Sequence, residues 1–265
     1  MERSRVARFR VMTNDACEAS CVDSCALEEE DEPSSSSQSL PGCPSSLAIP
    51  FVRAASSSFA LATPQLVLAR FDADHVNTKL FDAVSEEAHD ERMRVIPFAT
   101  DDRSHFDAHV AREYALWSRG ERFNFVILQR KELASEPAGD EETDVCIANA
   151  DPVGCAGIVD VDAGHGVVQI GLFTLRDKEG KGLAAEALRA VEYMTFDVLG
   201  MHRSELRTDA ANVRCARLAE RCGYQREGVL RENFVARNGQ RNNTAIFGKL
   251  REEWRGGGAW KAYLV

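Results

Sequence analysis

The chain has 265 residues, 44% of them hydrophobic and 28% charged, with 18 Gly and 8 Pro. That is enough for one or two ordinary domains around a substantial core, and it excludes a stapled mini-protein. Thirty-two Lys and Arg against 42 Asp and Glu leave a net charge of −10, which argues against nucleic acid or an anionic membrane as partner. The longest apolar runs, residues 66–69 and 125–128, fall far short of the roughly 20 residues that a membrane helix needs.

The first ten residues carry Arg3, Arg5, Arg8 and Arg10, a weak likeness to a mitochondrial presequence that Asp15, Glu18 and Asp23 soon break; no apolar signal segment follows. Eight cysteines in such a chain read as reduced thiols, and a cytoplasmic setting is expected. Pro33, Pro41, Pro44 and Pro50, an acidic run at 28–32 and serines at 34–37 make residues 1–58 an expected disordered, low-complexity tail, because this composition buries too little apolar surface to offset its ordering entropy. Cys17, Cys21 and Cys25, with Cys43 beyond, match neither a C-x2-C knuckle nor a ferredoxin run, so free thiols are expected and no metal site. The tail's alternative use is as a protein-interaction segment.

From Thr63 onward the pattern alternates between strands and amphipathic helices. Residues 66–68 form a predicted strand, and Val76, Leu80, Val84 and Ala88 recur at helical spacing behind a cap at Asp72 or Asp74. A second predicted helix is capped by Ser104, presents Phe106, Val110, Tyr114 and Trp117 on one face, and stops at Gly120. Residues 123–128, 153–161 and 167–173 read as an antiparallel meander, the last two joined by a turn at 162–166. The acidic insertion after the first of these, with Glu132, Glu136 and residues 140–142, reads as solvated loop, with attraction of a cationic substrate as its alternative.

The most informative stretch is 167–200. A strand ends near Leu175, the polar turn 176–182 contains Gly180 and Gly182, and Ala184, Ala187, Leu188, Val191, Met194 and Val198 then form a helical stripe ending at Gly200. Such a helix start offers unpaired N–H groups and the positive end of a dipole to phosphates. The dinucleotide pattern G-x-G-x-x-G fails at Ala185, and the Walker pattern fails because Lys181 is followed by Gly182. A second unit follows: strand 204–208, helix 212–222, extended residues 224–230, a type I′ hairpin signal at Asn238-Gly239, and a final strand at 244–250.

The strings 170–173 (Ile-Gly-Leu-Phe) and 179–188 (Glu-Gly-Lys-Gly-Leu-Ala-Ala-Glu-Ala-Leu) resemble the acyl-CoA motif of the GNAT N-acetyltransferase superfamily. Residues 200–203, 212–217, 222–228 and 250–254 narrow the likeness to the branch of ribosomal-protein N-terminal acetyltransferases, RimJ/RimL-like. The resemblance is close over 167–254 and looser over 63–161. It implies a mixed α/β (α+β) fold whose central, mostly antiparallel sheet is splayed at an acyl-CoA site, with an N-acetyltransferase domain over 59–255 and a short C-terminal extension at 256–265. Backbone groups around Phe173, Thr174 and Leu175 are then expected to meet the pantetheine, and the amides of Gly180, Lys181, Gly182, Leu183 and Ala184 to hold the phosphates. Asn212 matches the family Asn near the cofactor arm, with a plain helix cap as its alternative. The implied co-substrate is acetyl-CoA, and the implied partner is an amine acceptor, a protein or peptide N-terminus ahead of a small amine or polyamine.

Three positions depart from the family pattern. Glu179 stands where the glycine motif usually opens with Arg or Gln, Gln169 where the branch often has Glu, and Cys215 where a Ser is common. Cys215 is a candidate acid for the departing CoA thiolate, or else a small buried hydrophobe. His202, the only histidine near it in sequence, is expected to pack at a strand start, and His105 with His109 lacks the Glu of a zinc helix. The three departures together motivate an alternative reading as a non-catalytic acyl-CoA-binding module.

Overall fold

The computed structural model describes residues 10–11, 59–71, 74–90, 92–93, 96–130, 150–236, 239–256 and 261–264. Nearly all of the expected tail and the whole acidic insertion lie outside these residues.

The strands are β1 (Arg10–Val11), β2 (Ala60–Ala62), β3 (Leu66–Arg70), β4 (Phe123–Gln129), β5 (Asp151–Asp162), β6 (Val167–Thr174), β7 (Arg203–Asp209), β8 (Gln225–Val235), β9 (Arg241–Leu250) and β10 (Lys261–Leu264). They form one sheet in the order β1-β10-β2-β3-β4-β5-β6-β7-β9-β8. Every neighbouring pair is antiparallel except β6 with β7, which is parallel. The C-terminal stretch joins this sheet, β10 lying between β1 and β2.

Helices cover both faces: α1 (Asp74–Glu86), α2 (Arg103–Arg119), α3 (Leu183–Tyr193) and α4 (Val213–Arg221). That coverage explains the continuous apolar run of β4, since Phe125 and Ile127 pack with Leu183, Leu188 and Val191 of α3, while Val126 and Leu128 pack with Val76, Leu80 and Phe106 of α1 and α2. In β5, Gly154 is required by close approach, because a Cβ there would lie 2.1 Å from the Phe173 carbonyl oxygen.

Several local expectations are corrected. Asp74 is the first residue of α1, and Asp72 is outside the described residues. The cap of α2 is Asp102, whose Oδ1 accepts from the Ser104 and His105 amides at 2.8 and 3.3 Å; a carboxylate two residues upstream reaches the free amides better than Ser104 does. Tyr114 is 52% exposed rather than core, and its ring lies 4.6 Å from the Arg70 guanidinium carbon. The stripe of α3 does not stay α-helical to Gly200: residues Met194–Val198 widen into a π turn, which buries the consecutive Met194, Thr195 and Phe196. At the β8–β9 hairpin, the Ala236 amide bonds the Gln240 carbonyl and the Gly239 amide bonds the Ala236 carbonyl. Three residues therefore separate the paired ends, with Gly239 at φ 80°, rather than the two of a type I′ turn.

Candidate active site

The parallel pairing of β6 with β7 runs from Val167 opposite Arg203 to Ile170 opposite Leu206 and stops. Beyond it β6 stays with β5, as far as Thr174 opposite Gly154, while β7 stays with β9, as far as Asp209 opposite Thr244. Residues 171–174 and 207–209 thus diverge, and the backbone groups they would have shared face a cleft of about 1940 Å³. The cleft continues to the start of α3 on one side and α4 on the other, and outward to Phe98 and His109.

The turn before α3 is shaped by Gly180 and Gly182, at φ 74° and 82°. A Cβ on either would meet nothing within 4 Å, so it is the positive φ rather than crowding that favours glycine here. Gly182 is the N-cap and lacks a side-chain cap bond. Its carbonyl accepts from the Ala185 and Glu186 amides. The amides of Gly180, Lys181, Gly182, Leu183 and Ala184 have no acceptor among the described residues. Five free donors at a helix start, beside a splay open at its backbone, fit a phosphate-bearing pantetheine thioester.

Not every anticipated residue reaches this cleft. Phe173, Thr174, Gly180, Gly182, Leu183, Ala184, Asn212 and Cys215 line it, but Leu175 and Lys181 do not. Leu175 is buried in the core against α1 and α2, its amide bonded to the Val153 carbonyl and its carbonyl to the Lys178 amide. The Lys181 side chain is turned to solvent.

Asn212 caps α4, its Oδ1 accepting from the Cys215 amide at 3.1 Å. Cys215 sits one turn on, half-buried, and burial pushes its thiol pKa up while a hydrogen bond with Thr208 pulls the other way. It is therefore a protonated thiol at neutral pH rather than a ready nucleophile. His202 stands at the β7 start, where its amide bonds the Gly166 carbonyl; Thr208 is six strand residues away, roughly 20 Å, so His202 does not serve Cys215 as base.

Glu179 does not point freely to solvent. Its carboxylate is ion-paired with Arg92 on one side and Arg214 of α4 on the other. Arg92 also pairs with Glu87 and Asp90 at 2.9 and 3.1 Å, and the Arg176 amide bonds Glu87 at 2.8 Å. Asp90 is held well below the usual carboxylate range, chiefly by its hydrogen bond from Arg176 and then by those from Arg92. The carboxylate in the glycine turn is thus offset by two guanidinium groups.

At the outer end, His109 of α2 borders the cleft with its Nε2 3.6 Å from Glu113 Oε1. The buried Glu113 carboxylate also accepts from Arg122 Nη1 at 3.0 Å and Asn124 Nδ2 at 2.8 Å. Nothing in the motifs singles out this pair; its signal in the sequence is a His and a Glu four apart on one helix. No cluster of three or more metal-ligating side chains occurs among the described residues, and no helix among them is long and apolar enough to cross a membrane.

Residues 65–225 match the family model described as an acetyltransferase (GNAT) domain, and the chain belongs to that family. By that membership it is an N-acetyltransferase. Among curated proteins it is similar to the uncharacterized N-acetyltransferase p20 of Bacillus licheniformis, 23% identical over 164 residues, 62% of this chain and 81% of that one. Among solved structures it shares its fold with a GCN5-related N-acetyltransferase from Brucella melitensis, at TM-score 0.59 and 22% identity, covering 76% of this chain and 85% of that one. It shares it also with RimL, a ribosomal alpha-N-protein acetyltransferase in complex with coenzyme A, at TM-score 0.59 and 14% identity, over 72% and 97% of the two chains.

Proposed function

We propose that the protein transfers the acetyl group of acetyl-CoA to an amine, with the α-amino group of a protein or peptide as the favoured acceptor and a small amine or polyamine next. The observation that carries this reading is the splay of β6 from β7 beside the five unpaired amides at the start of α3. Gly180, Gly182, Leu183 and Ala184 hold the phosphates through their amides, and the open backbone of Phe173 and Thr174 takes the pantetheine arm. Acetyl-CoA supplies the activated acyl thioester. Backbone N–H groups of residues 171–174 polarise its carbonyl, Asn212 borders the cofactor arm, and Cys215 gives the departing thiolate a proton.

Acceptor basicity supports the α-amine. With a reference pKa near 8, on the order of a tenth of it is neutral at pH 7, against less than one in about a thousand for a lysine near 10.4. Gln169, which lines the cleft, accepts no proton, so an acceptor needing little deprotonation suits this site. The RimL likeness points the same way.

Gln169 and the clamped Glu179 are also what a non-catalytic acyl-CoA-binding module would show. Release of CoA thiol across a panel of amines and peptides separates the readings. Turnover with a peptide bearing a free N-terminus is the expected result; tight CoA binding without thiol release from any acceptor supports the module.

A further inference from the structure

We infer that His109, oriented by Glu113, is the proton acceptor at the amine end of the cleft, taking the N–H proton of the acceptor nitrogen as that nitrogen bonds to the thioester carbonyl. This rests on the acetyl-transfer reading and supplies the base that Gln169 cannot be.

Three observations place it. The imidazole borders the cleft with only 9% of its side chain exposed. It stacks on Phe98 at 4.5 Å between centroids, and Phe98 packs on Phe173 at 5.6 Å. Phe173 lies on the arm of β6 that has parted from β7, so His109 is one aromatic layer from the cofactor channel. Its Nε2 faces the Glu113 carboxylate, itself fixed by Arg122 and Asn124. At 3.6 Å this is a charge contact rather than a hydrogen bond, and it stabilises the protonated form of the imidazole.

Several other titratable groups in or beside the cleft are engaged elsewhere, and Glu220 of α4 also lines it. Glu179 is clamped by two arginines. Asp209 accepts from Asn242 Nδ2 and the Ala211 amide. Cys155 is fully buried, and desolvation holds it as a thiol. His105, one turn before His109, has its Nε2 3.1 Å from the Pro97 carbonyl.

The charges facing His109 are Glu113, Arg112 and His105 on its own helix and Arg122 ahead of β4. Desolvation lowers its pKa to about 4 against the pull of Glu113, so the imidazole is neutral and holds a lone pair throughout the physiological range. So weak a base does not deprotonate a free ammonium. It suits the nitrogen after attack, whose N–H is far more acidic. The neutral amine forms the N–C bond, the N–H proton passes to His109, the C–S bond breaks, and the CoA thiolate takes a proton from Cys215 or solvent. The imidazolium then releases its proton to solvent, and solvent restores the proton that Cys215 gave. The acid limb of the rate profile should accordingly follow the acceptor amine, near 8 for an α-amine, rather than an ordinary histidine near 6.5.

The test uses the full chain, acetyl-CoA and the best acceptor of the panel. His109→Ala should lower kcat about a hundredfold with CoA affinity unchanged, and free imidazole in the medium should restore turnover in proportion to its concentration without accelerating wild type. His109→Gln, which fills the space, should lose kcat to a similar degree. A folded His109→Ala or His109→Gln with wild-type kcat, or a loss in His109→Ala that imidazole leaves untouched, overturns the assignment and makes His109 a packing residue. Wild-type protein that turns over no acceptor fails earlier and overturns the acetyl-transfer reading itself.

Discussion

The carboxylate of Glu179 is ion-paired with the guanidinium of Arg214, joining the glycine turn before α3 to the first turn of α4 beside the cleft. Arg92 holds the other carboxylate oxygen. A CoA phosphate arriving there competes with Glu179 for both arginines. Glu179→Gln should therefore raise CoA affinity severalfold at low salt, with a steeper salt dependence. Calorimetry at two ionic strengths measures this. Weaker binding would instead make Glu179 the group that holds the arginines in place for the ligand.

Gly182 lies at φ 82° with nothing within 4 Å of where its Cβ would be. Gly182→Val should cost about 1–2 kcal/mol of stability for the left-handed conformation, and its side chain would project into the space over the free amides. The expected outcome is a folded variant, lowered modestly in Tm, with CoA affinity down tenfold or more. Unchanged affinity would move the phosphates elsewhere.

Cys215 separates chemistry from packing. If its thiol gives the proton, Cys215→Ala lowers kcat by tens-fold at most, because a thiolate needs little help to leave, and Cys215→Ser beside Thr208 keeps substantial activity. A Cys215→Ala protein with wild-type kcat but reduced Tm would leave only the packing role.

Between β9 and α3, Lys249 Nζ donates to Glu192 Oε1 at 2.9 Å and to the Cys222 carbonyl at 2.8 Å, with both side chains buried. Lys249→Met strands a buried carboxylate and should cost about 3–5 kcal/mol, whereas adding Glu192→Leu should recover most of it. Burial already raises the Glu192 pKa, so the single variant's deficit should shrink as pH falls and the carboxyl protonates. Denaturant melts of the three proteins at two pH values are the measurement.

His109 also makes stability pH-dependent. Its folded-state pKa of about 4 lies below the ordinary 6.5, so between those values the unfolded chain binds a proton that the folded chain refuses. This contribution is fully present above 6.5 and is lost as pH falls towards 4, by about 3 kcal/mol. His109→Gln should flatten that part of the stability profile; an unaltered slope would put its origin in other groups.

Much of this architecture was legible because it is written locally. The β4–β6 meander follows from short apolar runs, and the start of α3 and the cap of α4 follow from Gly182 and Asn212, residue types with specific backbone uses. What escaped is non-local. Glu179 and Arg92 stand 87 residues apart, and no periodicity couples them. The pairing of β10 with β1 and β2 unites the two ends of the chain. His109 and Glu113 were within reach at four residues' spacing, but their setting was not, since it is Phe98, Arg122 and Asn124 that turn a helical pair into an oriented, desolvated imidazole.

On the proposed function, the splayed strands and the glycine turn present acetyl-CoA to an α-amine. The most direct test of this is mass spectrometry of a peptide with a free N-terminus, incubated with the protein and acetyl-CoA beside the same peptide blocked at its α-amine. One added acetyl group mapped to the α-nitrogen of the free peptide, with the blocked peptide unchanged, is the predicted result. Acetyl-CoA bound and left intact, with neither peptide modified, would contradict it.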